Sequence, residues 1–491
     1  MLDSASLKKL SLFDVTNLVI GAIIGADIYV ASSFGAGLLG PFSLVVWVIA
    51  GLIAIVIALC FAQCAALVPK VGGPYAYAKE AWGPFAGFTV GWSLWFAEWI
   101  SLAVFPLAFT RYLMFFLPNM NFAMQVLVKS IFVAFLAITN IVGIKAAGRI
   151  NDVLTIAKLA PLIFFTIAGV AWIALNPAAS ASNFSPFSPF GFAGFGTALV
   201  LIFWAYAGFE ISTIPAEEIS EPRKTIPKAV IIGIAIVTIF YLATNTVLFS
   251  VRNYGLLAND TAPLASATRG ILPAGTIFAV IGGGLVGVGA LISVAGSNES
   301  GMIGTSRLGF ALAADGLFPQ VFARIHQKFK TPYLSIIIQS VSALVASIVG
   351  NLGLLISVSV FFLAIAYLAT SASVFTFHKK GLTADNHSRK ELIVPALGIA
   401  FSLFLISQCT LTQIAVGALL LLVGLPIYIR YSPKHEMTKL KQTFISSEAT
   451  LRRVYDQEPV FLSHLILHIR RAYRRAIQGK KRTANTASDT D

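Results

Sequence analysis

Charge is what this chain has least of. Asp, Glu, Lys and Arg make up 11% of its 491 residues, against 57% that are hydrophobic. A water-soluble domain of that make-up has too little charge to cover its surface. A soluble fold is therefore excluded and an all-α polytopic membrane protein is expected. Cysteine is scarce as well. Cys60, Cys64 and Cys409 each fall inside an apolar run, with no C-x-x-C pair and no Cys/His cluster. That argues against a disulfide framework and a metal centre, and no metal or cofactor is expected. There is no HExxH, Walker loop or nucleophile–base pair, so enzymatic chemistry is not expected either. Gly282-Gly-Gly284 follows no strand signal and reads as packing. No small-residue cleavage site follows a short apolar core after Lys8 and Lys9, so a cleaved signal peptide is not expected.

What the chain does have is apolar runs of about the 20 residues that a membrane crossing needs. Twelve spans are expected, at 14–37, 43–67, 85–117, 125–143, 152–175, 195–217, 228–250, 275–306, 332–350, 353–377, 392–408 and 411–429. The net charge of +14 does not point to nucleic acid, because the basic residues lie in short connections and a tail. With the N-terminus inside, nineteen Lys and Arg fall on the inner side, and Arg111, Lys129, Arg252 and Arg269 on the outer. By the positive-inside rule both termini are cytoplasmic, in a cell-membrane protein. The domain reading is a cytoplasmic N-terminus (1–12), a first repeat (13–175), a second (195–377), two further spans (390–430) and a basic tail (431–491). Within the tail, Leu462, Leu465, Ile466, Ile469 and Tyr473 recur at helical spacing beside Arg470, Arg471, Arg474 and Arg475. Such a helix suits the anionic lipids of the inner leaflet; the alternative is a solvated tail.

Two spans look broken. In the first, Gly21-Ala-Ile-Ile-Gly-Ala-Asp-Ile-Tyr29 sets two glycines and a carboxylate at mid-depth. Glycine lets the helix open, and a carboxylate there costs ~2.5 kcal/mol or more unless it faces a cavity or pathway. In the sixth, Phe203-Trp-Ala-Tyr-Ala-Gly-Phe-Glu210 is interrupted in the corresponding place. A matched pair of broken helices points to a transporter built from two inverted repeats, here five spans each, with its site at the midplane. Five ionisable residues fall inside spans: Asp27, Glu98, Lys158, Glu210 and Glu299. Glu98 is too far from the span's inner end to snorkel. Lys158 could snorkel to the inner surface, Glu210 could cap the break, and Glu299 could find a near-surface partner.

At this point the residues resemble a known family. Gly21–Tyr29, Pro69-Lys-Val-Gly-Gly-Pro-Tyr-Ala-Tyr77 with Gly91-Trp92, Ala205–Glu210 with Pro215–Lys224, and Ala314-Asp-Gly-Leu-Phe-Pro319 are similar to motifs of the amino acid–polyamine–organocation (APC) permeases. The resemblance implies the leucine-transporter type of fold, with helices 1 and 6 discontinuous, and proton symport or exchange by alternating access. It assigns solute binding to Ile24, Gly25, Ala26 and Asp27 in the first break and to Trp204, Ala205, Tyr206, Ala207 and Gly208 in the second, with Glu98 facing the solute. Trp204 is the implied gate, Glu210 and Lys158 the implied coupling residues, and Glu299 is grouped with them. Relatives usually carry Gly-Ser-Gly where this chain has Gly25-Ala26-Asp27. Two like charges at ~4 Å cost about 4 kcal/mol at an effective dielectric of 20. So either Asp27 holds a proton or the solute lacks a carboxylate. Three nearby acids favour a cationic solute, a basic amino acid or polyamine; the alternatives are a potassium ion and a neutral amino acid.

Overall fold

A computed structural model of the chain describes residues 10–68, 72–142, 147–210, 219–382 and 392–431; side chains are not described at 147–158, 222 and 223. Its helices begin where the local chemistry asks for them. Ser11 opens α1 (Leu12–Ile23) as half of a capping box. The Ser11 N–H donates to Asp14 Oδ2 at 2.8 Å, and the Asp14 N–H donates to Ser11 Oγ at 3.3 Å. Three non-helical residues, 24–26, separate α1 from α2 (Asp27–Leu39). Then come α3 (Ser43–Leu67), α4 (Pro74–Trp82) and α5 (Pro84–Leu113). Gly73 (φ 53°) and Gly83 (φ 93°) hand the chain to the N1 prolines of α4 and α5. Proline suits N1 because its missing N–H would have no helical partner.

The chain continues through α6 (Phe122–Val142), α7 (Ala147–Leu175), α8 (Pro177–Asn183) and α9 (Phe195–Phe203), which tightens into a 3₁₀ turn at Trp204–Tyr206. After it come α10 (Pro222–Val251), α11 (Tyr254–Ala258), α12 (Pro263–Ile271), α13 (Ile277–Ala314), α14 (Tyr333–Val349), α15 (Leu352–Lys379), α16 (Ile393–Ser407) and α17 (Leu411–Tyr431). Among the described residues there is no strand beyond an isolated parallel bridge, Leu10 with Ile219. The helical end of the sequence expectation holds, and each expected interval contains helix. The eighth runs on to Ala314 rather than stopping near 306, and α4, α8, α11 and α12 are short helices in stretches read as connections.

By length and composition, seven helical stretches among the described residues can cross a membrane, or eight if the bent pair Leu159–Leu175 and Pro177–Asn183 counts as one. Four apolar helices are shorter: Leu12–Ile23, Phe195–Tyr206, Tyr333–Val349 and Ile393–Ser407. The first two are the pieces that stop at the two interruptions, where a broken helix must be short. The chain divides into compact units Met1–Leu425 and Pro426–Asp491; the described part of the second is the end of α17. In the first unit α10 packs on α1 and α3, and α9 on α2 and α3, while α5 packs on α13, α14 and α15. The tail segment at 462–475 and parts of two motifs, 69–71 and 211–218, lie outside the described residues.

Candidate functional site

The first break is narrower than the glycine pattern suggests. Gly21 stays helical, and only Ile24, Gly25 and Ala26 leave the helix. Ile24 turns extended (φ −73°, ψ 106°) after its N–H closes the last bond to Ile20 O at 2.9 Å. α2 then starts with no side-chain cap and with Asp27 in its first turn. Asp27 is buried, at 8% exposure, and stands at the positive end of a helix dipole, where a carboxylate is favoured. A Cβ built on Gly25 would lie 2.5 Å from Ser297 Oγ of α13 and 3.4 Å from Asp27 Oδ2. Gly25 thus keeps open a gap between the break, α13 and that carboxylate.

The second break lies at Ala207–Gly208. Gly208 has φ 119°, a backbone conformation that glycine reaches at little cost. Its absent side chain is also a steric requirement. A Cβ there would fall 2.6 Å from Ala22 O and 3.0 Å from Ala22 C. The second break therefore meets the last turn of α1, beside the first break, backbone to backbone. Tyr241 of α10 joins them a second time, its hydroxyl lying 3.2 Å from Ile23 O at the end of α1 and 3.2 Å from Ala205 O in the 3₁₀ turn. The Tyr206 hydroxyl donates to Trp47 O at 2.8 Å.

Trp204 closes the other wall. Its indole Nε1–H donates to Ser101 Oγ of α5 at 3.3 Å, and its ring lies 6.0 Å from that of Phe105. Ser101 shares a 3.0 Å hydrogen bond with Ser359 of α15. Glu98 lies one turn before Ser101 on α5, half-buried, and close enough to Asp27 and Glu210 to interact with both electrostatically. Glu210, at 2% exposure, accepts through Oε2 from the Gly208 N–H at 3.0 Å and from the Tyr367 hydroxyl at 3.3 Å. The acid is thus tied to the break it follows.

Of the residues singled out from the sequence, Ile24, Gly25, Ala26, Asp27, Glu98, Trp204, Ala205, Tyr206, Ala207, Gly208 and Glu210 come together around the two breaks. Glu299 does not join them. It lies half-buried on the stripe of α13 that carries the exposed Ile281, Leu285 and Val288, a turn pattern of three and four. No hydrogen bond or ion pair engages it among the described residues. The side chain of Lys158 lies outside the described residues. Sequence reasoning missed Ser101, Tyr241, Ser297 and Tyr367. None is charged, and a lone Tyr or Ser in an apolar helix gives no local sign of what it will face. Among the described residues no three His, Cys, Asp or Glu side chains are placed to hold a metal.

Opposed helix ends, free of regular helix between them, are a way to hold a small dipolar solute. Comparison with known proteins gives the family. The profile of the amino acid permease family matches residues 10–427. The chain belongs to that family. Its relatives include the branched-chain amino acid permease BcaP of Bacillus subtilis (strain 168), 31% identical over 89% of this chain and 95% of that one. The serine/threonine exchanger SteT of the same organism is 27% identical, over 87% of this chain and 97% of its own. The mouse large neutral amino acids transporter small subunit 2 is 27% identical, over 92% and 87%. This permease is therefore a multi-pass membrane transporter of the APC superfamily and not an enzyme.

Proposed function

We propose that this permease moves neutral amino acids by secondary active transport, with alternating access and proton coupling. The observation that carries the reading is the close approach of Gly208 to Ala22, which sets the second break against the end of α1 where the first break begins. The C-terminal end of α1 offers carbonyls there and the start of α2 offers amides. Helix ends of opposite sign suit the ammonium and carboxylate of a zwitterion. The relatives' names support neutral side chains over cationic ones. So does the local chemistry of the acids. Asp27 has a helix N-terminus, and Glu210 has Gly208 N–H and Tyr367, so neither requires a cationic solute for company. We read the topology as twelve crossings in two inverted repeats followed by two more helices, with both termini cytoplasmic. Trp204 serves as the gate.

Asp27 supplies the coupling in this reading. A solute carboxylate arriving at the start of α2 meets it at close range, and two charges at ~4 Å cost about 4 kcal/mol at an effective dielectric of 20. A proton on Asp27 removes that cost, so solute and proton travel together. The test is uptake into proteoliposomes of L-alanine, L-serine, L-leucine, L-arginine, L-lysine, putrescine and spermidine. Neutral amino acids should enter, faster with an inward proton gradient. Uptake confined to arginine, lysine or polyamines would restore the cationic reading, and uptake of none would end both. Asp27→Asn should keep solute exchange and lose the response to the gradient.

A further inference from the structure

The connection between α13 and α14 holds a hollow of about 430 Å³, lined by Arg324, Ile325, His326, Gln327 and Tyr333. That lies within the ~300–1,000 Å³ of small-molecule sites. Four of the five residues carry N–H or O–H donors, one of them a guanidinium, and no acid lines the hollow. The turn that shapes it is closed on itself. The His326 N–H donates to Thr331 O at 2.8 Å, and the Lys330 N–H donates to His326 O at 2.9 Å. Inside the turn, His326 Nδ1 accepts from the N–H groups of Lys328 and Phe329, at 3.2 and 3.3 Å. A ring nitrogen that accepts carries no proton, so the imidazole N–H is on Nε2. The rings of Phe329 and Tyr333, with centroids 4.7 and 5.4 Å away, hold the imidazole in place.

Tyr333 also heads an apolar stripe. Every fourth residue after it on α14, Ile337, Val341, Val345 and Val349, is exposed, and residues four apart share one helix face. In a membrane such a face meets acyl chains, which are as apolar as it is. The donor-lined hollow and the apolar stripe thus join at one residue, as phosphate and acyl chain join in a lipid. We infer that the α13–α14 connection is a binding site for an anionic phospholipid. Its phosphate sits in the hollow with Arg324, His326 and Tyr333, and one acyl chain lies along Ile337, Val341 and Val345. The leaflet, the inner one, rests on the topology proposed above; the chemistry of the site does not. The Thr331 hydroxyl of the same turn donates to Ile141 O, in the last turn of α6, at 2.7 Å. A lipid seated here therefore braces a turn that ties α13 and α14 to α6, and a ligand of the folded form alone raises its stability.

The test is thermal melting of the purified, delipidated permease in detergent, titrated with phosphatidylglycerol, phosphatidylcholine or glycerol 3-phosphate. Phosphatidylglycerol should raise the melting temperature saturably, and at a lower mole fraction than phosphatidylcholine. Glycerol 3-phosphate should leave it unchanged. Arg324→Gln should raise the half-saturating mole fraction of phosphatidylglycerol about tenfold or more, the loss of a charged hydrogen bond. Tyr333→Phe, which keeps the ring beside His326, should raise it about threefold. Lys328→Gln removes the same charge from the same turn without lining the hollow. It should change half-saturation by no more than about twofold, the long-range part of the attraction. If it weakens binding as much as Arg324→Gln, bulk charge draws the lipid and the site is refuted. No shift with any lipid overturns the inference, and an equal response to glycerol 3-phosphate would give the hollow to a free phosphate compound instead. Should Arg324→Gln fail to insert, Tyr333→Phe against Lys328→Gln decides. The readout involves no transport, so a permease that carried no amino acid would end the reading above and leave this result standing.

Discussion

Gly208→Ala is the sharpest test of how the two breaks meet. The added methyl would lie 2.6 Å from Ala22 O and 3.0 Å from Ala22 C. Both are backbone atoms, so no side-chain rotation relieves the clash. Alanine would also have to hold φ 119°, which for a left-handed conformation costs about 1–2 kcal/mol. Overpacking of a tight interior adds about 1–3 kcal/mol. The sum, about 2–5 kcal/mol, corresponds to a shift of about thirtyfold or more against the conformation in which the breaks touch. Two other glycines calibrate the effect. On Gly25 the methyl meets Ser297 Oγ at 2.5 Å, a side chain that can turn at a cost of about 1 kcal/mol, and Ser297→Ala should rescue Gly25→Ala. On Gly284 nothing lies within 4 Å, and Gly284→Ala should be silent. Counterflow exchange in proteoliposomes, normalised to protein inserted, reads all four. Gly208→Ala should lose at least tenfold in rate, and exchange at the wild-type rate would refute the contact between the breaks.

Trp204→Phe removes the bond to Ser101 Oγ while keeping a ring against Phe105. Uptake should fall about fivefold, one hydrogen bond's worth. Ser101→Ala should cost a similar amount, and the double variant should lose no more than either alone if the two act as a pair. Asn298 of α13 is 1% exposed, and among the described residues neither its Oδ1 nor its Nδ2 has a partner. An unpaired buried amide is costly, and an apolar residue of the same shape is neutral or stabilising there. Asn298→Leu should therefore raise the melting temperature of the purified protein; a fall would mean that the amide has a partner in the working protein.

The fold was legible where composition left little choice. An apolar run about 20 residues long has few alternatives to helix in lipid, and each expected interval holds one. The breaks were legible for a different reason. Gly25 beside Asp27, and Gly208 two residues before Glu210, are residues that a continuous lipid-facing helix has no use for. What could not be read was the extent of each break. Gly21 looks as breakable as Gly25, yet it remains helical, because propensity is a preference of about 1 kcal/mol that packing overrides. The short helices α4, α8, α11 and α12 were hidden by their polar or brief sequences. Ser101, Ser297 and Tyr241 acquire their roles from partners dozens to hundreds of residues away.

The acids show why charge alone is an incomplete guide. From the sequence, Asp27, Glu98 and Glu210 look like three carboxylates in want of a cation. In the fold, each break that interrupts a helix also creates donors. Asp27 sits at the start of α2, and Glu210 bonds back to the Gly208 N–H of the break itself. Two of the three acids are thus neighbours of the broken helices' own unsatisfied groups, with or without a solute. Glu98 lies partway along the continuous α5, and it reaches the other two through space. A cationic solute was inferred by summing charges, whereas the sum that matters includes the partial charges of the helix ends. Once those are counted, the site is polar in both senses, which is why we propose a zwitterion rather than a cation.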